Sequence, residues 1–247
     1  RVTLGVWGWS RPQFADPYRR RYSSRTLSVL DHGPRIDEVD VTSAVGISNP
    51  TLFDVLSRRK AETSNLLRSA LAVVGFAVLT ALLAQVRIHL GFTPVPITGQ
   101  TLAVLLAGTT LGSRRGALSM ALYWVVGMVV PFGWYSNATH GWEVASGATA
   151  GYLFGFIVAA FVVGLLAERG QDRNPLTSFS AMLVGTFVVY VFGVAWLAHK
   201  IDVPVFAEGD NALTMGVVPF IAGDIVKLVI AGAVGPAAWR FVGGRES

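Results

Sequence analysis

The sequence has no cysteine and little charge: none of its 247 residues is Cys, and only 14% are Asp, Glu, Lys or Arg. The first absence excludes disulfide frameworks and thiolate metal sites. The second excludes an ordinary soluble domain, in which about 25% of side chains are charged. Signatures of nucleotide use and hydrolysis are missing as well. No G-x-x-x-x-G-K-[ST] occurs, so the chain has no P-loop with which to use ATP, and neither H-E-x-x-H nor G-x-S-x-G is found. His32, His89, His140 and His199 stand far apart in the chain, so neither a metal site nor a cofactor is expected.

What fills the sequence is apolar. Hydrophobic residues make up 52% of it and the mean hydropathy is +0.52, which places the chain in a membrane. The net charge of +5 hints at nucleic acid only until it is divided along the chain. Residues 1–60 hold 10 Lys+Arg against 6 Asp+Glu, and the remainder holds 10 against 9. The basic excess therefore belongs to an N-terminal arm, and no nucleic-acid partner is expected.

That arm, taken as residues 1–62, has no sustained period. It strings Trp7, Trp9, Pro12, Pro17, Arg19-Arg20-Arg21, Gly33-Pro34 and Asn49-Pro50 between short polar stretches. It is expected to be poorly ordered or dispensable. Residues 63–240 are expected to form the membrane domain and 241–247 a short tail.

From Leu66 onward apolar stretches follow one another, each near the ~20 residues needed to cross a ~30 Å hydrocarbon core. Six are counted: Leu66–Val86, Val95–Leu111, Gly116–Phe132, Ala148–Ala167, Leu176–Ala198 and Leu213–Trp239. The fold expected is an all-α integral membrane protein of six transmembrane helices. Basic residues set the orientation. Arg58, Arg59, Lys60, Arg68, Arg114, Arg115, Arg169, Arg173, Arg240 and Arg245 flank one set of ends, and only Arg87 and Lys200 flank the other. Both termini are thereby expected in the cytoplasm.

Three groups of residues carry information about function. Asp224 and Lys227 lie three residues apart on one face of an apolar span, beside Pro219 and Gly223. Each charge alone costs ~2.5–3.5 kcal/mol at mid-membrane, so the pair reads as a site facing the bundle interior, suited to a polar ligand with donors and an anionic group. Phe132, Trp134, Tyr135, Asn137, His140 and Trp142 crowd the connection between spans three and four, with Tyr152 just inside the fourth. They fit either an interfacial aromatic belt or the lid of a pocket. Ala77 and Ala81, and Gly147, Gly151 and Gly155, put small residues at four-residue spacing. Such faces let helices approach closely, within one bundle or against another membrane protein.

Three segments together resemble the BioY family, the biotin-binding S components of energy-coupling factor transporters. The first is Phe92-Thr93-Pro94-Val95-Pro96-Ile97-Thr98-Gly99-Gln100-Thr101 and its continuation through Leu111-Gly112-Ser113-Arg114-Arg115-Gly116. The second is Ser146-Gly147-Ala148-Thr149-Ala150-Gly151-Tyr152-Leu153-Phe154-Gly155-Phe156, and the third Gly223-Asp224 with Lys227. Ala148 replaces a usual Pro, Gly99 a common Leu, and the segment Trp134–Trp142 a more glycine-rich loop.

The resemblance implies a six-helix substrate-capture subunit that is not an enzyme. It would take biotin from outside and deliver it with a transmembrane T protein and two ATPases. It implies Asp224, Lys227, Asn137, Tyr152, Trp142 and Gln100 as substrate contacts. Asp224 would accept from ureido N–H groups, Asn137 would complement the ureido edge, and Tyr152 and Trp142 would cover the apolar ring. Lys227 would either neutralise Asp224 or meet the ligand carboxylate. The first helix would dock on the T protein through Ala77 and Ala81. Rival readings are an S component for another vitamin or small anionic solute and, more distantly, an intramembrane enzyme with Asp224 as general base.

Overall fold

The computed structural model describes residues 49–57 and 62–243, and the arm up to residue 48 lies outside them. The described chain is mostly helical. A short helix α1 (Leu52–Ser57) precedes α2 (Glu62–Gln85). Strands β1 (Arg87–Ile88) and β2 (Ile97–Thr98) then pair antiparallel, Arg87 opposite Thr98 and Ile88 opposite Ile97. Helices α3 (Gln100–Leu111), α4 (Ser113–Val129), α5 (Trp142–Ala145), α6 (Ala150–Glu168), α7 (Pro175–Ile201), α8 (Ala212–Gly216) and α9 (Ile221–Gly243) follow.

Four stretches are long and apolar enough to cross a membrane: Asn65–Gln85, Ala150–Glu168, Pro175–Ile201 and Ala212–Val242. α3 and α4 are shorter, with 12 and 17 residues. Pro94 and Pro96 withhold two backbone N–H groups, so the apolar stretch that begins at Val95 runs extended before it turns helical at Gln100. The last stretch is broken as well. Pro219 cannot continue the ladder of α8, so a 3₁₀ turn (Val218–Phe220) intervenes and α9 starts anew at Ile221.

α6 is the central element, 61% buried against 17% for α2. It packs on α7, α4 and α3, and carries Ala159, Ala160 and Val163 into the core. Close approach needs residues without side chains. Gly164 lies against the start of α4, where a Cβ would fall 2.3 Å from the Ser113 nitrogen. Glu168 one turn on accepts from Ser113 N and Oγ at 2.7 and 2.8 Å, satisfying an N–H that the first turn of a helix leaves free. Gly99 does similar service at the other end. Its N–H donates to the Leu83 and Val86 carbonyls, and a Cβ there would stand 2.9 Å from Leu83 O, which accounts for a glycine in place of the common Leu.

Contacts from outside the long helices secure the end of the bundle away from the hairpin. Arg115 pairs with Asp54 at 2.7 Å and covers the Phe53 ring, while Asn49 N donates to Glu168 O, so residues 49–57 are pinned although they precede the boundary expected at 62. Asp172, between α6 and α7, accepts from Trp239 Nε1 at 2.6 Å. Burial raises its carboxyl above the ordinary range.

The packing yields a prediction. Gly164→Val forces α6 off α4 and destabilises the protein by about 1–3 kcal/mol, whereas Gly75→Ala, where a Cβ meets nothing within 4 Å, is neutral within about 0.5 kcal/mol. Thermal unfolding in detergent measures both, and equal effects would contradict the assigned crossing.

Candidate functional site

A cavity of about 240 Å³ opens at the hairpin end, between the starts of α3, α6 and α9, the outer part of α7 and the α4–α6 connection. The break at Pro219 places Asp224 in the first turn of α9, where the positive end of the helix favours a carboxylate. Asp224 is 6% exposed. Its Oδ1 accepts from Lys227 Nζ at 2.7 Å and its Oδ2 from the Tyr190 hydroxyl of α7. Two opposite charges thus neutralise one another at the cavity wall, with the phenol as a further donor to the carboxylate, and all three residues line the cavity.

Tyr152 lies across the cavity on α6. Its hydroxyl donates to the Gly216 carbonyl at 2.9 Å, one of the groups freed where α8 ends, and so ties α6 to the broken helix. Gln100 opens α3. Its amide is engaged on both sides, donating to Tyr123 Oη at 2.7 Å and accepting from Thr98 Oγ1 at 2.8 Å. Asn137 sits in a 3₁₀ turn (Ser136–Ala138) of the lid, with φ of +66°, a left-handed conformation that Asn tolerates.

The structure therefore brings Asp224, Lys227, Tyr152, Gln100 and Asn137 to one cavity. It does not bring Trp142. That side chain is 68% exposed on α5 and outside the wall, because Gly141 turns the chain at φ of +94° before the helix begins. The aromatic anchors of the connection are Trp134, stacked on Tyr123 and donating to its carbonyl at 2.8 Å, and Tyr135, which donates to Trp124 O. Ala77 and Ala81 also need correction. They are 1% and 7% exposed and belong to the core where α2 meets α3 and α4, so the strip expected to lie open to a foreign helix is closed inside this chain. Ser119 Oγ reaching Val73 O at 2.8 Å shows how near α4 comes to α2. Gly151 and Gly155 likewise serve internal packing, against α7.

Tyr190, Thr101 and Ser136 are among the wall residues that the sequence did not single out. Tyr190 is a phenol within an apolar span, a type that seeks a partner when buried, yet nothing in the sequence says which acceptor it reaches. Thr101 and Ser136 hold buried hydroxyl oxygens without a hydrogen-bond partner among the described residues, and both line the cavity. Such groups suit a ligand with polar atoms of its own.

A mostly helical, membrane-embedded bundle with one end opened into a small cavity, apolar except for a neutralised charge pair and a few polar groups, belongs to the class of solute-capturing membrane proteins. The BioY family matches residues 56–244, and the chain belongs to that family. Among relatives, it is 40% identical to the biotin transporter BioY of Rhizobium etli over 177 residues, which cover 65% of this chain and 90% of that one. It is 37% identical to the biotin transporter BioY of Thermotoga maritima over 160 residues, 64% and 88% of the two chains. A crystal structure of the S component for biotin from an ECF-type ABC transporter shares the fold, with a TM-score of 0.63 at 20% identity, covering 73% of this chain and 95% of that one.

The charge pair generates its own test. Asp224→Asn or Lys227→Met alone leaves one buried charge uncompensated and destabilises the protein by about 3–5 kcal/mol, while the double variant recovers most of that loss. Unfolding midpoints of the four proteins in detergent form the cycle. Additive losses would show that the two groups do not act as a pair.

Proposed function

We propose that this chain takes up biotin, as the membrane-embedded subunit that captures the vitamin and passes it on. The observation that carries the reading is the family match over residues 56–244, with relatives of 40% and 37% identity that are named biotin transporters. Those relatives are named as transporters, not as enzymes.

In this reading Asp224 accepts from the ureido N–H groups with the lone pairs that Tyr190 and Lys227 leave free. Lys227 keeps two N–H donors beyond the one on Asp224, and these serve the ligand carboxylate. Thr101, Ser136 and Asn137 offer further polar contacts, and Tyr152 covers the apolar ring. Gln100 acts by holding the start of α3 to α4 through Tyr123.

Six crossings are the topology that fits best. With α2, α3, α4, α6, α7 and α9 as the crossings, the ten-to-two division of basic residues supports both termini in the cytoplasm. α3 alone spans too little, and the extended stretch before it completes the crossing inside the protein, where irregular backbone is tolerated. With no P-loop in the chain, uphill uptake needs energy from elsewhere, and the family resemblance supplies a T protein with two ATPases. The arm up to residue 48, outside the described residues, is taken as dispensable for binding.

Full-length protein in lipid nanodiscs, without ATP or partners, binds radiolabelled biotin saturably. Asp224→Asn weakens binding at least about tenfold, ~1.4 kcal/mol, whereas removal of residues 1–48 changes it by less than about twofold. Absence of saturable biotin binding at micromolar concentrations, with another vitamin bound instead, would overturn the reading.

A further inference from the structure

We infer that Gln85, the last residue of α2, is the positioning residue that latches the α4–α6 connection over the cavity, and that release of this latch sets how fast ligand exchanges. The connection carries Tyr135, Ser136 and Asn137 into the cavity wall. Its backbone is not one that its residues choose by themselves. Asn137 and Ala138 both have positive φ, +66° and +52°, and for Ala138 that conformation costs about 1 kcal/mol or more.

The connection must therefore be held from outside. One set of holds is on α4: the Tyr135 ring sits where Gly127 has no side chain and its hydroxyl donates to Trp124 O, Trp134 Nε1 donates to Tyr123 O, and Gly141 N–H donates to Gly127 O. The other is Gln85. Its Nε2 donates to the Tyr135 carbonyl at 2.9 Å and lies 3.4 Å from the Gly133 carbonyl, while its Oε1 accepts from the Ala138 N–H at 3.2 Å. The same Nε2 is 3.2 Å from Ala81 O on its own helix, which fixes the rotamer. A single amide thus satisfies backbone on both sides of the strained turn, and no charged group could do so, since both donation and acceptance are required.

α2 is the least buried of the long apolar stretches, so the latch joins the lid to a helix at the edge of the bundle. An opening at this hinge exposes the cavity without disturbing α6, α7 or α9. The identity of the ligand rests on the biotin reading, but the latch itself does not.

Two variants and two readouts test it on the full-length protein in nanodiscs. Gln85→Leu removes every side-chain hydrogen bond, and Gln85→Glu keeps size and acceptor while turning a carboxylate toward the Tyr135 and Gly133 carbonyls. Hydrogen exchange in the ligand-free protein is expected to accelerate about tenfold or more over residues 133–139 in both variants, with the α6 and α7 amides unchanged. A chase of bound radiolabelled biotin is expected to show a dissociation rate raised by about the same factor. Wild-type exchange over residues 133–139 in both variants would overturn the latch, as would wild-type behaviour of Gln85→Glu alone, since donation into the lid would then be immaterial. Faster exchange with an unchanged dissociation rate would overturn its role in ligand exchange. A wild-type protein that binds no biotin defeats the ligand reading and leaves the exchange data to decide the latch.

Discussion

Opposite charges inside an apolar bundle are tolerated only when each is met by a partner, and the site is organised around this requirement. Asp224 alone in α9 would draw an energetic cost that the helix propensity of its neighbours cannot offset. Lys227 one turn on meets one oxygen, and Tyr190 from α7 meets the other. The break at Pro219 puts the carboxylate at a helix start, a third favourable contribution. The broken backbone is itself secured by Tyr152 of α6. Site, break and central helix thus form one connected arrangement, in which α7 and α9 meet at the carboxylate and α6 holds the backbone break before it.

The cavity has two kinds of wall. Those from α3, α6, α7 and α9 rest on close helix packing, with α6 buried at its centre. The wall from the α4–α6 connection rests on a few hydrogen bonds to backbone and on two aromatic anchors against Tyr123, Trp134 stacked and Tyr135 edge-on. Stability is therefore uneven across the site, as a protein that must both hold and release a solute requires. Unpartnered hydroxyls at Thr101 and Ser136, one on each kind of wall, mark where an incoming polar ligand would replace contacts that the protein does not provide for itself.

Much of this was legible in the sequence, and the remainder failed for definite reasons. Low charge and long apolar runs carry the membrane assignment directly, and charge spacing on α9 identifies the Asp224–Lys227 ion pair because both residues belong to one helix. Relations within one element are fixed by helical period. Relations between elements are not: Tyr190 reaches Asp224 across 34 positions, and Gln85 reaches Tyr135 across 50. Direction was also beyond the sequence. Small residues at Ala77 and Ala81 fit an inner or an outer face equally, and the structure turns them inward. Trp134 and Trp142 are alike in composition and neighbourhood, yet Gly141 turns one outward while the other is drawn in by Tyr123. Proline breaks were visible as residues, but their consequence, a helix restarted beside Asp224, depends on where Tyr152 meets the freed carbonyl.

The central claim is that the cavity beside Asp224 is where biotin binds. A structure of the protein determined with biotin present tests it most directly. The account predicts density for one ligand between Tyr152 and the Asp224–Lys227 pair, with a ureido nitrogen within hydrogen-bond distance of an Asp224 oxygen and the 133–139 connection closed over it. Biotin found elsewhere on the protein, with this cavity empty and Asp224 contacted only by Tyr190 and Lys227, would contradict it.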